Sequence, residues 1–236
     1  MSTKELQGTV SGGRSTVGET LLVTTCRLAT GHATTLLPSP LEPIRDEAYF
    51  YLVWATFNSE SLPLRQRSFY EANIALPCLG PRGEGTWFYK AYFPGRHMVL
   101  HANLSGWSGE EAEVSVGRVP LSIERFVWPP RHAIGGWVGF QGNRHFEMDV
   151  TVSSDVSLSE TPLSSFNKVY GVRNFPDQRD VTLEEHYGED VIVRAMKGVS
   201  RMDISDELQK ALQISEVGDG YLLELGIVLG GSQSVG

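Results

Sequence analysis

Glycine and proline interrupt this chain so often that long helices are excluded from most of it. Among 236 residues, 25 glycines and 12 prolines separate short runs rich in Val, Leu, Ile, Thr and aromatics. Short apolar runs bounded by turn residues read as strands. The strand candidates are residues 21–26, 48–57, 68–76, 86–93, 99–104, 112–118, 135–140, 145–152, 191–196 and 221–229. Strict alternation in residues 86–93 puts Trp87, Tyr89, Ala91 and Phe93 on one face. It puts Phe88, Lys90 and Tyr92 on the other.

Helices are few. Residues 203–213 form the clearest, with Asp203 placed to cap and Ile204, Leu208, Ala211 and Leu212 in one apolar stripe. Residues 29–37 suit a shorter helix that stops before Pro38. Residues 1–18 are polar and rich in Gly, Ser and Thr, so a flexible segment is expected there; residues 230–236 are expected to fray. A hydrophobic content of 41% suffices for one core, so residues 19–236 are expected to form a single domain. The expected class is mainly β (α+β) with one or two helices, most simply a closed or nearly closed barrel.

Charge and motifs exclude several functions. The net charge is 20 − 28 = −8 and no basic stripe exists, which disfavours nucleic acid as a partner. No run of about 18 apolar residues occurs, so no membrane span is expected. The first twenty residues lack the apolar stretch of a secretory signal. Two cysteines, Cys26 and Cys78, fit a reducing compartment, and a cytoplasmic location is expected. There is no GxGxxG, P-loop, HExxH or GxSxG motif. His97 and His101 are the only close histidines, without a carboxylate of matching parity, so no metal site is expected. Glu110, Glu111 and Glu113 read as a solvated turn. All five tryptophans lie between Trp54 and Trp137, which suits either core packing or an aromatic-lined cavity for a flat ligand.

Four longer segments say more. They are CRLATGHATTLLPSPLEP at 26–43, SFYEANIALPC at 68–78, GTWFYKAYFPGRHMVLHANLSGW at 85–107 and SEVGDGYLLELGIVLGG at 215–231. In their order and spacing the chain resembles the acetoacetate decarboxylase superfamily from about Leu21 to Gly231. The resemblance implies a cone-shaped β-barrel with an interior, largely apolar active site. It also implies a lysine that forms a Schiff base with a β-keto acid, its amine kept neutral by desolvation or a neighbouring cation. Here Gly109 and Glu110 stand where the lysine pair is expected. Ala102 and Asn103 replace an arginine and a glutamate, Glu19 falls near an active-site arginine, and Tyr51 near a glutamate. Glu71 is the active-site carboxylate that is retained.

Without the lysine, the resemblance points to cofactor-free acid–base chemistry. Glu71 is then the expected general acid or base, and Tyr92, Lys90, Asn103 or His101 the group that polarises a carbonyl or phenolate oxygen. Trp54, Trp87 and Trp107 are the expected clamps on an aromatic or polyketide-like substrate. Such a site suits cyclisation or isomerisation in natural-product biosynthesis, including intramolecular C–O ring closure. Two other readings stay open. One is a cofactor-free lyase whose arginine, from Arg27, Arg65, Arg67 or Arg96, holds a carboxylate. The other is a non-catalytic binding protein. A homo-oligomer joined through strand edges at the barrel mouth is also open.

Overall fold

The computed structural model describes residues 16–58, 68–117, 133–162, 168–174, 179–185, 193–228 and 233–235. The chain runs β1 (Thr16–Leu28), α1 (Ala33–Leu36), β2 (Glu42–Pro43), β3 (Glu47–Asn58), β4 (Ser68–Gly80) and β5 (Gly83–Phe93). It continues α2 (Arg96–Leu104), β6 (Gly109–Glu111), β7 (Glu113–Val116), β8 (Ala133–Phe140) and β9 (Asn143–Asp155). Then follow β10 (Lys168–Asn174), β11 (Arg179–Glu185), β12 (Val193–Ile204), α3 (Asp206–Leu212), β13 (Ile214–Val228) and β14 (Gln233–Ser234).

One large sheet joins the strands in the order β14-β11-β10-β5-β4-β3-β1-β13-β12-β9-β8-β7, with β2 on β4 and β6 on β5. Pairing is antiparallel except where β10 and β6 meet β5. The expected mainly-β class is the one observed. The hydrogen-bonded path is open among the described residues, so the barrel is not sealed by a ladder. The sheet curls back on itself until β7 lies against β3, β4 and β5.

The central strands are apolar on both faces, as buried strands must be. Leu22, Phe50, Leu52, Ile74 and Tyr92 face inward onto Val138 of β8 and Phe146, Met148 and Val150 of β9. Phe50 and Phe146 meet edge to face at 5.1 Å between ring centres. Leu208 and Leu212 of α3 cover this core. The opposite face carries a second cluster of Leu21, Val23, Tyr49, Tyr51, Val53, Ala55, Leu223 and Leu225.

The structure departs from the sequence reading at identifiable points. Residues 99–104, expected as a strand, belong to α2. That helix buries Ala102, and its chain turns away at Gly106 with φ +87. Strands β10 and β11 escaped notice because charged and polar residues outnumber apolar ones in β11 and equal them in β10. Asp203 does not cap α3; it lies on β12, and Ser205 accepts from the Leu208 amide at 3.4 Å instead. Helix α1 spans four residues, fewer than expected. The expected tail does not wholly fray, since β14 pairs with β11 and the Val235 amide donates to the Val181 carbonyl at 2.8 Å. Thr16–Gly18, placed in the flexible segment by sequence, already pair in β1, and residues 1–15 lie outside the described residues. Cys26 and Cys78 are free, buried thiols, and burial pushes both up to about 12.

The inward core carries the stability. Phe146→Ala is expected to cost about 3–5 kcal/mol through lost burial and the cavity left behind. Val199→Ala, at a position 70% exposed, should stay within about 0.5 kcal/mol of the parent. Urea denaturation of both variants checks the contrast.

Candidate functional site

The uninterrupted register of β1, β3 and β4 decides which polar side chains meet. Across the second face runs a rung of Tyr221, Val23, Tyr51, Asn73, Ala91 and Gly109. The next rung holds Leu223, Leu21, Val53 and Glu71. The one after it holds Leu225, Glu19 and Ala55. Side chains of one parity share a face, so two glutamates and an asparagine stand on a wall that is otherwise apolar or aromatic.

Glu19 and Glu71 are half-buried, whereas Asn73 is 2% exposed and Tyr51 3%. The Asn73 Nδ2 donates to Glu71 Oε1 at 3.0 Å. The Asn73 Oδ1 is buried and accepts no hydrogen bond from any described residue. Burial, and then the charge of Glu71, raises the Glu19 carboxyl from 4.5 to about 8. A carboxyl raised to about 8 keeps its proton near neutral pH.

Beside this wall lies Gly109. A Cβ there would meet the Ala102 Cβ and the Val99 carbonyl oxygen of α2, both at 2.9 Å. Helix α2 therefore presses on the position, and only a bare backbone fits without a shift.

No protein-family model matches the chain, and neither does any curated protein. Solved structures do. The enduracididine biosynthesis enzyme MppR complexed with pyruvate aligns with a TM-score of 0.79 at 19% identity, over 100% of this chain and 95% of that one. An acetoacetate decarboxylase-like enzyme from Sphingomonas wittichii RW1 aligns at 0.77 and 17%, over 93% and 92%. Acetoacetate decarboxylase from Legionella pneumophila subsp. pneumophila str. Philadelphia 1 aligns at 0.73 and 12%, over 100% and 96%. The chain has the acetoacetate decarboxylase fold.

Within that fold, Glu19, Tyr51 and Glu71, the positions where the resemblance implies active-site side chains, share one face of three neighbouring strands. The other residues singled out from sequence are distributed differently. Lys90 and Tyr92 point to the opposite side of β5 from Glu71. A bulge between Ile74 and Ala75 of β4 and residues 88–90 of β5 breaks the alternation. Phe88 consequently joins Ala91 and Phe93, while Trp87 and Tyr89 pack with Tyr92 against the inward core. Lys90 pairs with Glu110, and Tyr92 stacks on His145 at 5.1 Å, its phenol raised first by burial and then by the Glu110 charge.

Trp54 and Trp87 also belong to the inward core, with Trp54 stacked on Tyr70 at 6.3 Å. His101 and Asn103 are exposed on α2, and the Asn103 Oδ1 accepts from the Gly109 amide at 3.0 Å. Trp107 is buried against Phe88 and donates from Nε1 to the Tyr170 carbonyl at 3.2 Å. Glu71 is thus the one residue of that set in the carboxylate cluster, and Trp107 packs further along the same side. Sequence reasoning did not single out Glu19 as a candidate. Its signal was a lone charge in step with Leu21 and Val23, both core positions. Among the described residues no group of three or more His, Cys, Asp or Glu is placed to hold a metal.

The raised Glu19 carboxyl makes stability depend on pH. Unfolded, Glu19 ionises near 4.5; folded, it keeps its proton to about 8. The folded state binds more protons between those values, so stability falls as pH rises from about 4.5 to 8. Glu19→Gln removes this contribution. The variant should match the parent at pH 4 and exceed it at pH 9, with an upper limit of about 5 kcal/mol. Thermal denaturation across that range tests it; a constant offset between the two proteins would contradict the assignment.

Proposed function

We propose that this chain is an acid–base enzyme that rearranges a small organic substrate on the Glu19–Glu71 wall without a Schiff base. The observation that supports it best is the juxtaposition of two coupled carboxylates, one holding a proton near neutrality, with a glycine where the resemblance implies the lysine. In the proposed step the Glu71 carboxylate takes a proton from a carbon or hydroxyl of the substrate. Glu19 delivers its proton to another atom, a carbonyl oxygen or a carbon. Proton exchange between the carboxyls then restores the starting state. Nothing is gained or lost, so the product is an isomer: a tautomer, or a ring closed by attack of a substrate hydroxyl. The solved structures of this fold are enzymes by their descriptions, and MppR is described as acting in enduracididine biosynthesis. A natural-product substrate is the corresponding proposal for this chain.

The described lysines do not reach the cluster. Lys90 lies on the other side of β5 in an ion pair, and Lys168 donates to the Arg82 carbonyl at 2.7 Å. Lys210 is exposed on α3. Lys197 shares the rung of Asn73 but pairs with Asp219 at 2.6 Å, and four strand spacings separate it from Asn73, roughly 19 Å along the sheet. The lyase reading has no described arginine to hold a carboxylate here. Arg27 and Arg96 are exposed and paired with Glu216 and Glu111, and Arg65 and Arg67 lie outside the described residues.

Two measurements test the proposal. Purified protein is incubated with a metabolite extract of its source lacking the gene and followed by LC–MS, with Glu71→Gln in parallel. A new peak of unchanged mass that the variant does not form is expected, and its rate should fall above pH 8 as Glu19 loses its proton. Loss of CO2 would establish a lyase instead, and retention of an unchanged compound a carrier. Separately, borohydride treatment in the presence of a β-keto acid should leave the protein mass unchanged. A reduced covalent adduct would overturn the absence of imine chemistry.

A further inference from the structure

We propose that His97 and His101 of α2 form a two-imidazole site for a late divalent transition-metal ion, Cu2+, Ni2+ or Zn2+, on the exposed side of that helix. The proposal is independent of the acid–base reading of the Glu19–Glu71 wall.

Secondary structure decides whether one ion can reach both rings. In an extended strand, residues four apart are separated by roughly 13 Å, too far for a single ion to bind both. The structure places the pair on a helix instead. Four residues then make about one turn, with a rise of about 6 Å. Residues at that spacing share a face. Two histidines four apart on a helix are a recurring metal-binding arrangement for the same reason. Both side chains are exposed, so an ion in solvent has access to them.

The imidazoles have no other polar engagement. Among the described residues neither makes a hydrogen bond or an ion pair. The His97 ring lies over Gly95, where a Cβ would stand 3.0 Å from its Cε1. The His101 ring makes an edge contact with Trp107 at 6.4 Å between centres. Chelation requires these exposed rings to turn towards each other, and the turn breaks no polar contact. Arg96, next to His97, has its charge paired with Glu111 at 3.1 Å. His101 lies in the last turn of α2, where the helix carbonyls favour a cation. Among the described residues no third His, Cys, Asp or Glu joins the pair, so water completes the coordination. Such a site is open and exchangeable, unlike a four-ligand structural zinc centre. Imidazole suits Cu2+, Ni2+ and Zn2+, whereas Mg2+ prefers oxygen ligands.

Titration calorimetry of the full chain with Cu2+, Ni2+, Zn2+ and Mg2+, each alone, supplies the test. The parent is expected to bind one Cu2+, Ni2+ or Zn2+ ion per chain, Cu2+ the tightest, and no Mg2+. His97→Ala and His101→Ala should each weaken Cu2+ binding by at least about ten-fold. Leu100→Ala, at a position 61% exposed on the same helix, should bind as the parent does. An ion spanning one turn also fastens α2, whose Val99 and Ala102 pack against Gly109. Saturating Zn2+ should therefore raise the Tm of the parent and leave that of the His97→Ala/His101→Ala protein unchanged. The proposal is overturned by no binding at millimolar metal, or by binding undiminished in the double variant. It is equally overturned by a loss in Leu100→Ala as large as in the histidine variants, which would assign the effect to the helix and not to its imidazoles.

Discussion

Everything that positions the site depends on β1 being paired along its length with β3 on one side and β13 on the other. A strand held on both edges has no freedom to slip, and its side chains alternate strictly between two environments. Leu22 and Cys26 enter the core shared with β8 and β9, while Glu19, Leu21 and Val23 face the opposite wall. A slip of one residue would drive Glu19 into the inward core and Leu22 out of it. The apolar residues on both faces therefore fix the register that brings Glu19 towards Glu71.

The bulge opposite Ile74 and Ala75 does the complementary work on β5. By adding a residue to one strand it reverses the parity of what precedes it, so Phe88, Ala91 and Phe93 line up on the side covered by α2 and Trp107. Lys90 and Tyr92 are turned to the other side, where the lysine finds Glu110 and the phenol stacks on His145. The lysine and the carboxylate pair are kept apart by this local change in the strand, though Lys90 and Glu71 lie on adjacent strands. Separation of this kind keeps Glu71 from being neutralised by a fixed ion pair with Lys90.

Much of this was legible in the sequence, and what was not has physical causes. Alternating and continuous apolar runs located β1, β3, β4, β5, β8, β9 and β13, because burial on one or both faces leaves a pattern in adjacent residues. The bulge leaves no such pattern, so strict alternation assigned Lys90 and Tyr92 correctly to one face but placed Trp87 and Tyr89 on the wrong one. Strand β10 meets β5 only through Val169 and Tyr170, and a contact so short imposes little on composition. Residues 96–104 hold Val99 and several long side chains that suit strand or helix; the burial of Ala102 against the Trp107 side, a tertiary effect, decides for helix. Glu71 was visible through its neighbours in SFYEANIALPC. Glu19 was visible only as a departure from an expected arginine, and its significance depends on a partner fifty-two residues away that pairing, not sequence distance, brings near.

The carboxylate pair is the part of this face that folding alone does not account for. Two glutamates on a wall of Leu, Val, Tyr and Ala destabilise the folded chain once both are ionised, and replacing them with apolar residues of similar volume would relieve that cost. A buried Asn73 oxygen without a described donor adds to it. Proteins keep such locally unfavourable arrangements where activity needs them.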